Sequence, residues 1–182
     1  MSGHIVINAP TTIKYAITSS TITSALVNST TVATSTFYNC SALEVIVLTS
    51  AVYGNGRMTK PCESCPELKV LDREKHIQSF YTNALTNLPK LDTLILRRDT
   101  SLTLLWGGTS VFNGTPFASG GTGGTIYIPK VFYDHLGDGT ESDYKAATNW
   151  STIDGYGTIT WAKIEGSQYE HYYADGTAIP MT

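Results

Sequence analysis

The chain is 182 residues long, carries a formal charge of −3 and has a pI near 5.7. Only 15% of its residues are charged, against ~25% in an average soluble domain. The 41% that are hydrophobic suffice for a core and set the chain apart from disordered sequences. No basic stripe marks a nucleic-acid partner, and no apolar run is long enough to span a bilayer.

The N-terminal Met-Ser-Gly-His-Ile-Val-Ile-Asn has no basic stretch followed by a long apolar run, so no secretory signal peptide is expected. Residues 9–36 are rich in Ser and Thr, with Lys14 as the single charge. Thr, Ile and Val favour strands over helices. Residues 1–36 are therefore predicted to form short strands in a β-rich N-terminal cap or attachment segment.

A repeat follows. Phe37-Tyr-Asn-Cys40-Ser-Ala-Leu43-Glu-Val-Ile46-Val-Leu48 shares one pattern with Cys62-Glu-Ser-Cys65-Pro-Glu-Leu68-Lys-Val-Leu71. The pattern returns in Leu85-Thr-Asn-Leu88-Pro-Lys-Leu91-Asp-Thr-Leu94-Ile-Leu96. The offsets are 25 residues (40 to 65) and 23 residues (65 to 88). An L-x-x-L-x-L core at offsets of ~20–29 residues is a leucine-rich-repeat signature. Each repeat supplies one short strand and buries its apolar face only by stacking on its neighbours. Leu43, Ile46 and Leu48, then Leu68 and Leu71, then Leu91, Leu94 and Leu96 should point inward. Arg73 occupies the slot of Leu48 and Leu96, so its strand is expected to end early or to turn the arginine out of the core. Glu44, Lys69 and Asp92 align, which places a cation between two anions if the strands are parallel.

The alternate positions Val45, Val47, Val70, Thr93 and Ile95 would form the outer face. Val45, Val47 and Ile95 are read as an exposed β-branched patch and a candidate binding surface. On this reading, lysine at Val47 and Ile95 leaves folding intact and abolishes assembly. Between the second and third strands, Ile77, Phe80, Tyr81, Ala84 and Leu85 follow helical spacing. An amphipathic helix is predicted over 72–85, ending near Asn87.

Residues 107–125 are glycine-rich and read as loop. Ile126-Tyr-Ile128 reads as a strand stopped by Pro129, and Val131–Leu136 as a helical turn. Ser142 is the expected N-cap of a short helix reaching Trp150. Residues 155–173 alternate loosely and suggest a final strand region. Tyr156, Trp161, Tyr169, Tyr172 and Tyr173 cluster there. Tyr and Trp are enriched at interface hot spots, so these five are candidate binding residues, with capping of the core as the alternative.

These residues resemble the BspA-type leucine-rich repeats. The F-x-x-C-x-x-L-x-x-I-x-L pattern of 37–48 carries the likeness. So do Gly124-Thr-Ile-Tyr-Ile-Pro129, Tyr144-Lys-Ala-Ala-Thr-Asn-Trp150-Ser and Lys163-Ile-Glu, which look like the tail module of such proteins. The likeness covers roughly residues 34–165. The loop Leu136-Gly-Asp-Gly-Thr-Glu-Ser departs from it as an insertion, and the repeats are few. The resemblance implies a bacteriophage structural protein or a protein of gut-associated bacteria. A small number of repeats and the absence of a signal sequence favour the first.

Cys62-Glu-Ser-Cys65 with Cys40 and His76 could complete a zinc site, but a second C-x-x-C is missing. The three cysteines fall instead on apolar positions of the repeat, where a free thiol is at home. A Cys40–Cys65 disulfide is disfavoured by assembly in a cytoplasm. His4, His76, His135 and His171 lie in no nucleophile or metal motif. Gly120-Gly-Thr-Gly-Gly124 is followed by a strand rather than the helix that a phosphate loop needs. Asp138-Gly-Thr-Glu-Ser-Asp143 has too few regularly spaced oxygens for an EF-hand. The Asn-x-Ser/Thr triplets at Asn28, Asn39, Asn113 and Asn149 matter only in a secreted eukaryotic protein.

The fold expected is an α/β repeat, a short leucine-rich-repeat solenoid with parallel strands. The N-terminal cap occupies 1–36, the repeats 37–106, and a glycine-rich loop with a C-terminal capping module 107–182. The function expected is non-enzymatic. It is that of a virion component of a phage tail, fibre or surface appendage, assembled in the bacterial host cytoplasm. Its partners would be other virion proteins, a further copy of itself, or a host-surface glycan or protein. No cofactor, metal, nucleic acid or membrane insertion is expected. The alternatives are a bacterial surface adhesin and a tail-spike glycan hydrolase, whose paired carboxylates sequence spacing does not reveal.

Overall fold

A computed structural model of the chain describes residues 3–10, 14–29, 32–48, 57–58, 60–73, 79–97, 104–105, 108–165, 171–172 and 178–179. In chain order the strands begin with β1 (Gly3–Ile7), β2 (Ile22–Val27), β3 (Phe37–Tyr38), β4 (Val45–Leu48) and β5 (Arg57–Met58). Next come β6 (Cys62–Glu63), β7 (Val70–Arg73), β8 (Ser79–Phe80), β9 (Thr93–Leu96) and β10 (Leu104–Leu105). A 3-10 turn at Gly108–Phe112 precedes β11 (Gly124–Ile128) and the one-turn helix α1 (Lys130–Tyr133). The chain continues through α2 (Trp150–Asp154), β12 (Ile159–Lys163), β13 (His171–Tyr172) and β14 (Ala178–Ile179).

Seven of these strands form one open sheet in the order β1-β2-β4-β7-β9-β11-β12, and every pairing in it is parallel. The order in space follows the order in sequence. Each strand therefore lies beside the next after one circuit of chain, which is what a repeated apolar pattern that cannot bury itself alone requires. Two smaller parallel sheets, β3-β6 and β10-β8-β5, tie the return segments of the circuits together.

The register sets the core. Ile5, Ala25, Ile46, Leu71, Leu94, Ile126 and Trp161 form one column across the sheet. Cys40, Cys65 and Leu88 are all buried, as are Leu43, Leu68 and Leu91. The turn between these positions repeats: Leu43 N–H donates to the Cys40 carbonyl at 3.2 Å, Leu68 to Cys65 at 3.2 Å and Leu91 to Leu88 at 3.1 Å. Just before each turn the backbone is left-handed, at Asn39 (φ 57°), Ser64 (φ 57°) and Asn87 (φ 59°), then at Gly114 (φ 74°). Asn tolerates this conformation better than most residues because its short side chain bonds locally.

Of the Glu44, Lys69, Asp92 column, the first pair forms. Lys69 Nζ lies 3.1 Å from Glu44 Oε1, whereas Asp92 Oδ1 accepts from Thr93 Oγ1 at 2.9 Å. A second link between repeats, Lys90 to Glu67 at 2.6 Å, is one that the aligned pattern did not suggest.

Three expectations need correction. Arg73 neither ends its strand early nor leaves the core. It pairs in register with Leu48 and Leu96 and is buried, its guanidinium carbon 4.6 Å from the centroid of the Phe80 ring. The aromatic face attracts the cation in place of water.

The helix predicted over 72–85 is absent from the described residues of that stretch, since 74–78 fall outside them. Asp72 and Arg73 belong to β7, Ser79 and Phe80 to β8, and 81–87 run through turns. Asn83 (φ 61°) and Asn87 take left-handed conformations incompatible with a helix interior.

Ser142 caps no helix. Residues 144–149 turn without settling into a helix, and α2 begins only at Trp150, because Asn149 sits at φ 68°. Asp143 anchors the loop instead, accepting from Gly139 N–H at 3.1 Å and Lys145 N–H at 2.8 Å.

Candidate functional site

The outer face of the sheet is the first candidate surface. Val45 pairs with Val70, which pairs in turn with Thr93; Val47 pairs with Asp72, which pairs with Ile95. The β-branched patch is therefore interrupted by a carboxylate. Asp72 is buried and holds Arg97 through two bonds, Nε to Oδ1 at 2.8 Å and Nη2 to Oδ2 at 2.9 Å. Val47 is 2% exposed and Ile95 9%; Val47 packs with Leu26 and the half-buried Val45. The expected open apolar patch is thus a closed one. Lysine at Val47 would bury a charge and unfold the sheet locally, so that double substitution no longer separates assembly from folding.

The C-terminal aromatics are the second. Trp161 lies half-buried at the end of the sheet, 5.5 Å from Tyr144 and 5.7 Å from Trp150 between ring centroids. Its Nε1–H donates to Asp154 Oδ1 at 2.6 Å. Tyr156 is half-buried against the same core. Phe112 joins Trp150 to Phe117 and Phe80, and Tyr144 joins Phe132, so aromatic rings run from the last repeat into the C-terminal segment. For Trp161 and Tyr156 the capping reading describes what they touch. Tyr169 and Tyr173 lie outside the described residues, as does the side chain of Tyr172.

Sequence reasoning missed an aromatic pair at the other end. Tyr15 and Tyr38 are 47% and 38% exposed, with centroids 4.6 Å apart. Lys14 Nζ sits 4.6 Å from the Tyr15 centroid, and its hydrogen bond with Tyr15 holds its pKa above the usual lysine value. Tyr38 stands beside Glu63 in the β3-β6 ladder, and Glu63 Oε2 accepts from Ser35 Oγ at 2.8 Å. Tyr15 adopts φ 59°, rare for an aromatic residue. The signal available in sequence was Lys-Tyr and Phe-Tyr within an otherwise bland Ser/Thr stretch.

The thiols of Cys40, Cys62 and Cys65 are free and buried. Hydrogen bonding to Cys65 and then burial push Cys40 far above the ordinary thiol value. Cys65 is lowered by its bond with Cys40, but its bond with Cys62 and burial carry it up to about 12. Both stay protonated and unreactive near neutrality, since the thiolate is the nucleophile and metal ligand. Among the described residues no group of three or more His, Cys, Asp or Glu is arranged to hold a metal.

In the loop that follows α1, the Thr140 N–H, His135 and the Thr140 hydroxyl hold Asp138 at about 2. Burial raises Asp143, but the N–H groups of Gly137, Gly139, Lys145 and Ala146 outweigh it. A shallow hollow of about 220 Å³ lies among Pro89, Gly114, Thr115, Pro116, Gly121 and Thr122, below the ~300–1,000 Å³ of typical ligand pockets. No helix among the described residues is long and apolar enough to cross a membrane.

No family model, curated protein or solved structure matches the chain.

Proposed function

We propose that the chain is a short leucine-rich-repeat solenoid that serves as a non-enzymatic binding and assembly component of a virion, in a phage tail, fibre or surface appendage. The observation that carries this reading is the recurring corner at Cys40, Cys65 and Leu88. Each member is buried, follows a left-handed residue and heads the same turn. Such a stack gives a rigid, extended body whose function lies in the surface it presents, and the repeat likeness to BspA-type proteins points to the virion.

The surface best suited to a partner is the exposed Tyr15–Tyr38 pair flanked by Lys14 and Glu63. It offers large aromatic area at low entropic cost with polar groups beside it, the composition of interface hot spots. Its ligand would be a neighbouring virion protein or a host-surface glycan or protein.

The reading is tested on purified phage particles. Quantitative mass spectrometry should find the chain at a fixed copy number per particle, and antibody labelling should place it on an appendage. A chain found only in the soluble fraction of the infected cell would sink the proposal.

A further inference from the structure

We infer that a second copy of this chain stacks head to tail on the first, adding its β1 to the β12 edge. This goes beyond the proposed function by naming both the partner and the surface, and it does not depend on the virion setting. Three independent observations support it.

The first is the sheet itself. Among the described residues β1 and β12 each have a strand neighbour on one side only. All pairings in this sheet are parallel, so translating a copy along the stacking direction sets its β1 parallel to β12 of the first. The backbone geometry agrees. Gly3 N–H bonds to the Thr21 carbonyl, and the Ile7 carbonyl accepts from Asn28 N–H. Odd positions of β1 therefore face β2, and Val6 turns its N–H and carbonyl the other way, since the two groups of one residue point to the same side in a parallel strand. On β12 the bonds Gly124 N–H to Thr158 and Ile164 N–H to Ile128 turn the even positions to β11, so the backbones of Ile159, Trp161 and Lys163 face outward, with Trp161 at the centre. Edge strands are ordinarily blunted by Lys, Pro or a short length. β1 has five residues with neither Lys nor Pro, and Val6 is 42% exposed.

The second is the state of the core at its two ends. Ile5, Ile7, Ile17 and Ile22 at the first end are only partly buried, as are Tyr156, Ile159 and Trp161 at the last. Terminal units of a stack need a polar outer face to stay apart. Here Ile5 of one copy would extend the column that ends at Trp161 of another.

The third is charge. Residues 1–43 contain Lys14 and no Asp or Glu, whereas 129–165, the described stretch that holds β12, contain three Lys and six Asp or Glu. Unlike ends attract, and the field favours head-to-tail over tail-to-tail contact. A heterologous contact that does not close on itself grows into a filament.

The experiment is sedimentation velocity with negative-stain microscopy on the full chain over a concentration series at low and high salt. The wild-type chain should grow beyond a dimer with concentration, and added salt should reduce the growth. Val6→Pro should remain monomeric with an unchanged circular-dichroism spectrum, because the Val6 N–H lies outside the β1-β2 ladder. Should proline disturb the strand, Val6→Lys supplies the same block through an edge charge. A wild-type chain that stays monomeric, or that stops at a dimer, overturns the inference. So does undiminished growth of a folded Val6 variant.

Discussion

Asp72 and Arg73 show how single residues bend a repeat to local need. Both fall where the other repeats carry apolar side chains, and both are buried. Neighbours absorb them: Arg97 closes on Asp72 with two bonds, and the Phe80 ring faces Arg73. Removing one partner of a buried pair strands the other charge, so Asp72→Ala should cost ~3–5 kcal/mol in chemical denaturation. A loss under ~1 kcal/mol would mean that Arg97 finds water at once and the site is open.

The thiols give a second test at this scale. Native protein should react with a thiol reagent at neutral pH only as fast as it unfolds. The folded pKa values of Cys40 and Cys65 are raised. Their stabilising contribution is complete below the unfolded thiol value of ~8.5 and fades as pH climbs, for Cys65 towards about 12. Stability should therefore decline with rising alkalinity, and a Cys40→Ala, Cys65→Ala double variant should lose part of that decline. Rapid labelling of all three thiols in the folded chain would contradict their burial.

Among elements, the strands were legible and the connections were not. Leu43, Ile46 and Leu48 declare β4 because apolar spacing of this kind, repeated at near-constant offset, arises when successive strands stack on one core. The stretch around Phe80 misled because Ile77, Phe80, Tyr81, Ala84 and Leu85 satisfy a helical period. A buried two-residue strand followed by turns produces the same spacing over so short a run. Asn83 and Asn87 were the available signal, since Asn is among the residues that most readily turn left-handed.

Legibility of the candidate surfaces followed the same divide. Val47 and Ile95 fall in one column with Asp72, but what covers a face lies beyond pattern. The Tyr15–Tyr38 contact joins residues from different circuits, which no local motif records. Trp161 was legible as an aromatic and ambiguous as a contact, because Asp154, seven residues earlier, decides where its N–H points.

The corners make a prediction of their own. Gly114 sits at φ 74° in the slot of Asn39, Ser64 and Asn87, and an added Cβ would lie 3.0 Å from Asn87 Oδ1 and 3.3 Å from its backbone nitrogen. Gly114→Ala should therefore cost ~1–2 kcal/mol, a drop of several degrees in Tm. Gly124→Ala should cost more, because its Cβ would collide with the Asp92 carbonyl where β11 meets β9. Equal stability for both variants would show that the circuits are not in close register.

At the scale of the molecule, one sheet runs from β1 to β12 through all three segments distinguished in the sequence. The Phe80–Phe112 contact and the aromatic network around Trp150 join the repeat segment to the residues that follow it. Among the described residues each end of that sheet has a strand neighbour on one side only, the feature on which the proposed stacking rests. The proposed virion role and the proposed stacking both rest on the ladder being continuous and parallel.

Nuclear Overhauser spectroscopy on labelled protein tests that ladder most directly. Cross-strand contacts should link Ala25 to Ile46, Ile46 to Leu71, Leu71 to Leu94, Leu94 to Ile126 and Ile126 to Trp161, with the amide pattern of parallel strands. A gap in that series, or an antiparallel pattern at any step, would contradict the account.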